Sequence, residues 1–192
     1  MGLAILMRAG EGNIGGVPRY LANPMSLIIR PFRPEDWVQL WPILRTTIAS
    51  GDTYAFPPDS TEEEIRTSWI EASLATYVAC SDETVIGSYK IQPNQPGLGS
   101  HVCNCAYVVS PAARGRGVAG SMCTHSQVEA VRLGFLAMQF NLVVVTNVDA
   151  VHLWKKLGFQ IVGTLPNAFR HRQLGFVDAH VMYKKLPPRG AS

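Results

Sequence analysis

The chain is short of most features that mark a specialised environment. Only 16% of its 192 residues are charged and the net charge is +3, too small an excess to argue for nucleic acid. No apolar run reaches the length of a membrane span. Its four cysteines contain no Cys-x-x-Cys pair, so they offer neither a zinc site nor a disulfide framework. Cys103 and Cys105 share one face of a strand and read as small buried hydrophobes. No metal is expected, and a reducing, cytoplasmic setting is. Repeats and low-complexity segments are absent. No Gly-Lys-Ser/Thr closes a Walker loop, and no correctly spaced Gly-x-Gly-x-x-Gly opens a dinucleotide fold.

What is present describes one soluble globular domain, with 47% hydrophobic residues and enough length for a sizeable core. Met1 to Pro24 has several glycines and no sustained period. Its apolar piece, Leu3 to Met7, is too short for a signal-peptide core. These residues read as a disordered extension or an upstream start, with the domain over 25–187 and a tail over 188–192. Strand character begins at Leu27 to Arg30. A helix opens at Pro34-Glu-Asp and carries Trp37, Leu40, Trp41 and Leu44 on one side. Ser50 to Pro58 is a loop rich in breakers. The capping sequence Ser60-Thr-Glu-Glu-Glu starts a helix expected to reach about Ser73. Strands follow at Thr76 to Cys80, Val85 to Gln92 and His101 to Val109. The spacing then predicts a helix over Val118 to Leu133, a strand over Met138 to Thr146 and a helix over Asp149 to Leu157. Two strands close the chain, at Gln160 to Leu165 and Val177 to Leu186. The order implies an α/β fold (in the broader sense α+β), a mixed sheet flanked by helices.

The densest signal is Val108-Val-Ser-Pro-Ala-Ala-Arg-Gly-Arg-Gly-Val-Ala-Gly120. An apolar strand passes through a Pro-marked turn into a glycine-rich loop with two arginines, then into a helix. A helix start leaves backbone N–H groups unpaired and carries the positive end of the dipole. Gly115, Gly117 and Gly120 allow close approach, and Arg114 and Arg116 add charge, so the loop suits a phosphate. Further charge at Arg170 and Arg172, read as lying in a loop, suits a carboxylate.

Arg114-x-x-Gly-x-Ala119 resembles the pyrophosphate loop of the GNAT acyl-CoA N-acyltransferases. Asn147-x-x-Ala150-x-x-Leu-Trp-x-Lys-Leu-Gly-Phe159 is similar to the second half of that family's signature. The resemblance covers Leu27 to about Leu186. It implies a single GNAT domain whose two central parallel strands splay apart and admit the pantetheine of acetyl-CoA. The cofactor contacts it implies are the backbone of Val108 and Val109, the loop and helix start from Arg114 through Gly115, Arg116, Gly117, Val118 and Ala119 to Gly120, and Asn147 and Ala150. It further implies direct transfer in a ternary complex, with a backbone N–H for the oxyanion and no nucleophilic residue.

Two positions depart from the family pattern. Asn104 stands where many members carry a glutamate base, and Trp154 where a tyrosine often protonates the thiolate. Neither side chain can do that work. His101, three residues before Asn104, is an alternative base. Asn104, Asn141 and Asn147 need partners if buried, and they either satisfy the splayed backbone or face substrate. Together with Gly163 to Phe169 and Gly175 to Tyr183 they resemble the branch containing a fungal enzyme that acetylates proline analogues such as azetidine-2-carboxylate. Ser50-Gly-Asp-Thr-Tyr is similar to phosphinothricin-type acetyltransferases. The expected substrate is a small amino-acid-like amine held by Tyr54, Phe56, Asn141, Trp154 and Arg170. Alternatives are acetylation of a protein lysine or N-terminus, which needs an open peptide groove, and acyl-CoA binding without turnover. Self-association as a homodimer stays open, and neither nucleic acid nor membrane is an expected partner.

Overall fold

The computed structural model describes residues 26–188. The expected extension over Met1 to Pro24 and most of the 188–192 tail lie outside the described residues. The chain runs β1 (Leu27–Pro31), α1 (Trp37–Ser50), α2 (Glu62–Arg66), β2 (Ala75–Ser81), β3 (Thr84–Pro93), β4 (Val102–Val109), α3 (Val118–Arg132), β5 (Ala137–Val144), α4 (Val148–Lys156), β6 (Gln160–His171) and β7 (Gly175–Lys185). The seven strands form one sheet ordered β1-β2-β3-β4-β5-β7-β6. Only β4 and β5 run parallel. No helix among the described residues is long and apolar enough to cross a membrane.

Helices cover the two faces of the sheet and make two cores. On one face α1 and α2 bury Leu40, Leu44, Ile65 and Trp69 against Val78, Val85 and Val108. On the other, α3 and α4 bury Val118, Met122, Cys123 and Trp154 against Tyr89, Cys103, Cys105, Met138 and Phe140. All four cysteines are buried free thiols.

Local chemistry explains the element ends. Thr61 caps α2, and its hydroxyl and the Glu64 carboxylate exchange hydrogen bonds with each other's backbone N–H in a capping box. The helix expected to reach Ser73 instead changes pitch, and Thr67–Glu71 form a π turn. That widened turn seats Trp69 wholly inside, where its indole N–H donates to Ser88 Oγ at 3.1 Å. α1 ends at Gly51, whose φ of 64° belongs to the left-handed region that glycine adopts without strain.

One strand is longer than its sequence suggests. β6 was expected to stop at Leu165, before Pro166 and Asn167, but it continues to His171. A register shift between Leu165 and Phe169 absorbs the Pro-Asn pair, the Asn167 φ is 54°, and the Asn167 N–H donates to Asp178 Oδ1 at 2.9 Å. A β-bulge therefore sits where a strand end was expected. Arg170 is a strand residue, and Arg172 follows at the hairpin turn rather than in an open loop.

Candidate active site

The site begins where β4 leaves β5. The two pair only at Val102–Ala137, Cys103–Met138 and Asn104–Gln139. From Cys105 to Val109, β4 stays paired with β3 alone. Three rings fill the space beneath the parting strands on the α3/α4 side. The centroids of Tyr107 and Trp154 are 5.1 Å apart, those of Phe140 and Trp154 5.1 Å, and those of Tyr107 and Phe140 5.9 Å.

Alternation along β4 decides which backbone groups face the gap. The Asn94 N–H donates to the Val102 carbonyl and the Ser110 N–H to the Ile86 carbonyl, both at 2.8 Å. Even-numbered residues of β4 thus turn their N–H and C=O toward β3, and odd-numbered ones toward β5 or the gap. Tyr107 and Val109 present their backbone to the gap. Val108 does not: it is 2% exposed and paired with Ser88 of β3. The expected contact at Val108 therefore shifts to Tyr107.

At its C-terminal end β4 leads through Pro111–Ala113 into the loop and α3. Gly117 is the N-cap of α3 with φ 79°, and no side chain caps this helix. α2 and α4, by contrast, are capped by Thr61 and Asn147. Arg114, Gly115, Arg116 and Gly117 are all exposed. Val118 is buried and fixes the helix start, while Ala119 and Gly120 are half-buried. Beside them α4 opens at Asn147, whose Oδ1 accepts the Ala150 N–H at 3.2 Å. The first-turn N–H groups of α3 thus meet solvent beside two guanidinium groups, an arrangement that fits a phosphate.

The opposite side of the gap is made of side chains. The loop after α1 carries Tyr54 and Phe56, with ring centroids 6.1 Å apart, and Tyr54 meets Trp69 edge-on at 5.7 Å. The Tyr54 hydroxyl donates to the Tyr107 carbonyl, one of the groups facing the gap. Burial pushes the Tyr54 phenol well above its usual pKa, so it remains a donor. The β6–β7 hairpin closes onto the same loop. The Arg172 N–H donates to the Gly51 carbonyl at 3.0 Å and its guanidinium to the Ala49 carbonyl at 2.8 Å. A Cβ on Gly51 would stand 3.0 Å from that of Arg172, so glycine also lets the hairpin tip approach. Asp52 lies on the same loop, and its Oδ1 accepts from the Ser50 hydroxyl at 2.6 Å and the Thr53 hydroxyl at 2.8 Å. Burial pushes its carboxyl up, but the hydroxyls of Ser50 and Thr53 and the charges of Arg114 and His171 hold it below its usual pKa.

Other expected residues are not gathered here. Asn104 is the last residue of β4 paired with β5, and its Nδ2 donates to the Gln139 carbonyl at 2.9 Å, tying the strands at their point of parting. Asn141 is exposed, donates to Asn94 Oδ1 at 2.7 Å and accepts from Gln139 Nε2 at 2.8 Å. His101 is exposed in the turn before β4, with Nδ1 3.2 Å from the Leu98 carbonyl oxygen. It lies six positions before Tyr107, about 20 Å along a strand, and is therefore far from the Tyr107 backbone. Trp154 is 8% exposed and belongs to the α3/α4 core, on the face away from Tyr54. Arg170 pairs with Phe176 and is exposed, on the opposite side of the hairpin from buried Phe169. Among the described residues, no group of three or more His, Cys, Asp or Glu gathers as a metal site would require.

Sequence reasoning named Arg172 but not its bonds to Ala49 and Gly51 at the end of α1, and it missed Tyr107. Tyr107 had one usable signal, its fixed distance before the phosphate loop.

A sequence model of the acetyltransferase (GNAT) family matches residues 37–159. The N-acetyltransferase aca1 of Schizosaccharomyces pombe is 35% identical over 115 residues, 59% of this chain and 55% of that protein. The chain thus spans just over half the length of this curated relative. A GCN5-related N-acetyltransferase structure from Kribbella flavida is 43% identical, with a TM-score of 0.80 over 84% of this chain and 98% of that one. A phosphinothricin acetyltransferase from Sinorhizobium meliloti, solved with acetyl-CoA, is 18% identical and shares the fold, with a TM-score of 0.76 over 88% and 92%.

Proposed function

The chain belongs to the GNAT acetyltransferase family, and from that premise we propose that it moves an acetyl group from acetyl-CoA to the amine of a small, amino-acid-like substrate. The observation that carries this reading is the gap at β4. The strand leaves β5 after three paired residues, yet β3 still holds it straight. Its free backbone groups run directly toward an uncapped helix start.

That helix start and its loop fit the pyrophosphate. The first-turn N–H groups of α3 are not taken by any side chain, and nothing lies within 4 Å of where a Cβ on Gly115 or Gly117 would be. Arg114 and Arg116 supply charge, Val109 backbone groups serve the pantetheine amides, and Asn147 keeps its Nδ2 free while Oδ1 caps α4. When bound, acetyl-CoA supplies a thioester carbonyl that the amine attacks, with the CoA thiol as leaving group. The Tyr107 N–H faces the gap and is the donor for the negative charge that develops on that carbonyl oxygen. Asn104 stands where a carboxylate base would be expected to take the amine's proton, and it cannot titrate. Asn104 ties the strands instead, so the amine reacts in its free-base form or passes its proton to water.

The amine side favours something small. Tyr54, Phe56 and the Arg172-fastened hairpin close over the gap from the α1/α2 face, where a protein acetylase would need an open groove. The phosphinothricin-type likeness of Ser50 to Tyr54 supports the same choice. Initial velocities measured against both substrates test the ternary complex. Lines intersecting in the double-reciprocal plot are expected; parallel lines would mean an acetylated enzyme and overturn direct transfer.

A further inference from the structure

β3 turns Ser88, Lys90 and Gln92 toward α1 and α2. Ser88 is wholly buried and fully engaged, accepting from Trp69 and donating to the Tyr77 carbonyl at 2.8 Å. Lys90 is different. It is only 9% exposed, yet among the described residues it forms no ion pair; the pairs there are Arg30–Asp36, Arg66–Glu71 and Arg132–Glu129. Lysine is almost never buried without a partner, because removing an ammonium from water is costly. One of its three N–H donors goes to the Ser68 carbonyl at 2.7 Å, and the ammonium stands 5.7 Å from the centre of the Trp69 ring. Two donors remain.

Its position connects it to the gap. Lys90 lies opposite Ala106 of β4 in register, and Gln92 lies opposite Asn104. Ala106 is small, half-buried and two residues past the point where β4 parts from β5. Trp69, which carries the Lys90 ammonium on its ring, meets Tyr54, and the Tyr54 hydroxyl ends at the Tyr107 carbonyl. A group resting over Ala106 would therefore have Lys90 on one flank and Tyr54 with the gap on the other. Burial pushes the Lys90 ammonium below its usual pKa, as expected of a cation without a counter-charge among the described residues.

We infer that Lys90 is the docking point for the carboxylate of the substrate, which selects amino-acid-like zwitterions over simple amines. This rests on the small-amine reading above. The competing role is purely structural, an ammonium capping the carbonyl end of the π turn.

The test compares an amino acid with its own amide in a CoA-release assay, using wild type, Lys90→Met and Lys90→Arg. A charged hydrogen bond of this kind changes binding by about 10- to 100-fold. Wild type should prefer the acid by that factor. Lys90→Met should collapse the preference toward unity by raising KM for the acid, and Lys90→Arg should keep part of it. An acid-to-amide ratio unchanged in Lys90→Met would overturn the inference. So would a wild type without preference, or an equal loss on both compounds that tracks a fall in Tm. If wild type acetylates neither compound but does acetylate a peptide, the small-amine reading fails first and the Lys90 role falls with it.

Discussion

The half of the site that suits the cofactor is made of backbone; the half on the α1/α2 side is made of side chains. The first half consists of the first-turn N–H groups of α3, the Gly115 and Gly117 turns, and the edge of β4 freed from β5. One short run of sequence builds it. The second half brings together Tyr54 from the loop after α1, Trp69 from the π turn, Lys90 from β3 and Arg172 from the hairpin turn. Those residues are spread over more than a hundred positions and meet only in the folded chain. Backbone recognition tolerates side-chain change, whereas the side-chain half can be re-tuned one residue at a time.

Substitutions that strike each half separately sharpen this contrast. The largest effect is expected at Gly117→Val. Gly117 has φ 79°, and a β-branched residue there costs about 1–2 kcal/mol or more of backbone strain, relieved by moving the N–H groups that hold phosphate. Acetyl-CoA affinity should fall roughly 100-fold by calorimetry while circular dichroism stays native. Intact affinity would break the assignment of the backbone half.

Next is Asn104→Ala. Without its amide the Gln139 carbonyl at the parting point loses its 2.9 Å partner, a penalty of about 1–3 kcal/mol. A lower Tm and slower turnover are expected, with acetyl-CoA affinity nearly preserved. Normal stability and turnover would mean that the strands part without this tie.

Arg172→Ala should act on the other half alone. It removes the bond to the Ala49 carbonyl, and loss of one charged hydrogen bond is worth about 1.5–3 kcal/mol at most, less at an exposed site. KM for the amine should rise several-fold with acetyl-CoA binding unchanged. Equal effects on both substrates would show that the halves are not separable.

The smallest expected change is Asn147→Ala, which removes the N-cap of α4 at a cost of about 1 kcal/mol. A melting curve reads this directly. A loss of acetyl-CoA affinity larger than the stability loss would show that the free Nδ2 also holds the cofactor.

The same contrast explains what could be read before folding. The Arg114 to Gly120 loop and the Asn147 cap each depend on neighbours a few residues away, so spacing alone exposes them. The buried periodicity of α1 and the capping box of α2 were legible for that reason too. The amine half was legible only in part: Tyr54, Phe56 and Arg172 drew attention as residues, but not the way they meet. Pro166 and Asn167 look like a strand end, and only the bulge against β7 shows that β6 continues to His171. A change of helical pitch after Arg66 leaves no mark in Thr67 to Glu71, although it decides where Trp69 and Lys90 meet. Asn104 and Trp154 stood out in the sequence as departures from the family pattern. Their partners, Gln139 on one side and Tyr107 with Phe140 on the other, needed the fold.

One measurement bears on the central claim more directly than any substitution: CoA release by the intact chain, supplied with acetyl-CoA and either a panel of free amino acids or a lysine-containing peptide with a free N-terminus. The account predicts saturable turnover with at least one free amino acid and little with the peptide. Turnover of the peptide alone, or saturable acetyl-CoA binding with no acceptor turned over, would contradict it.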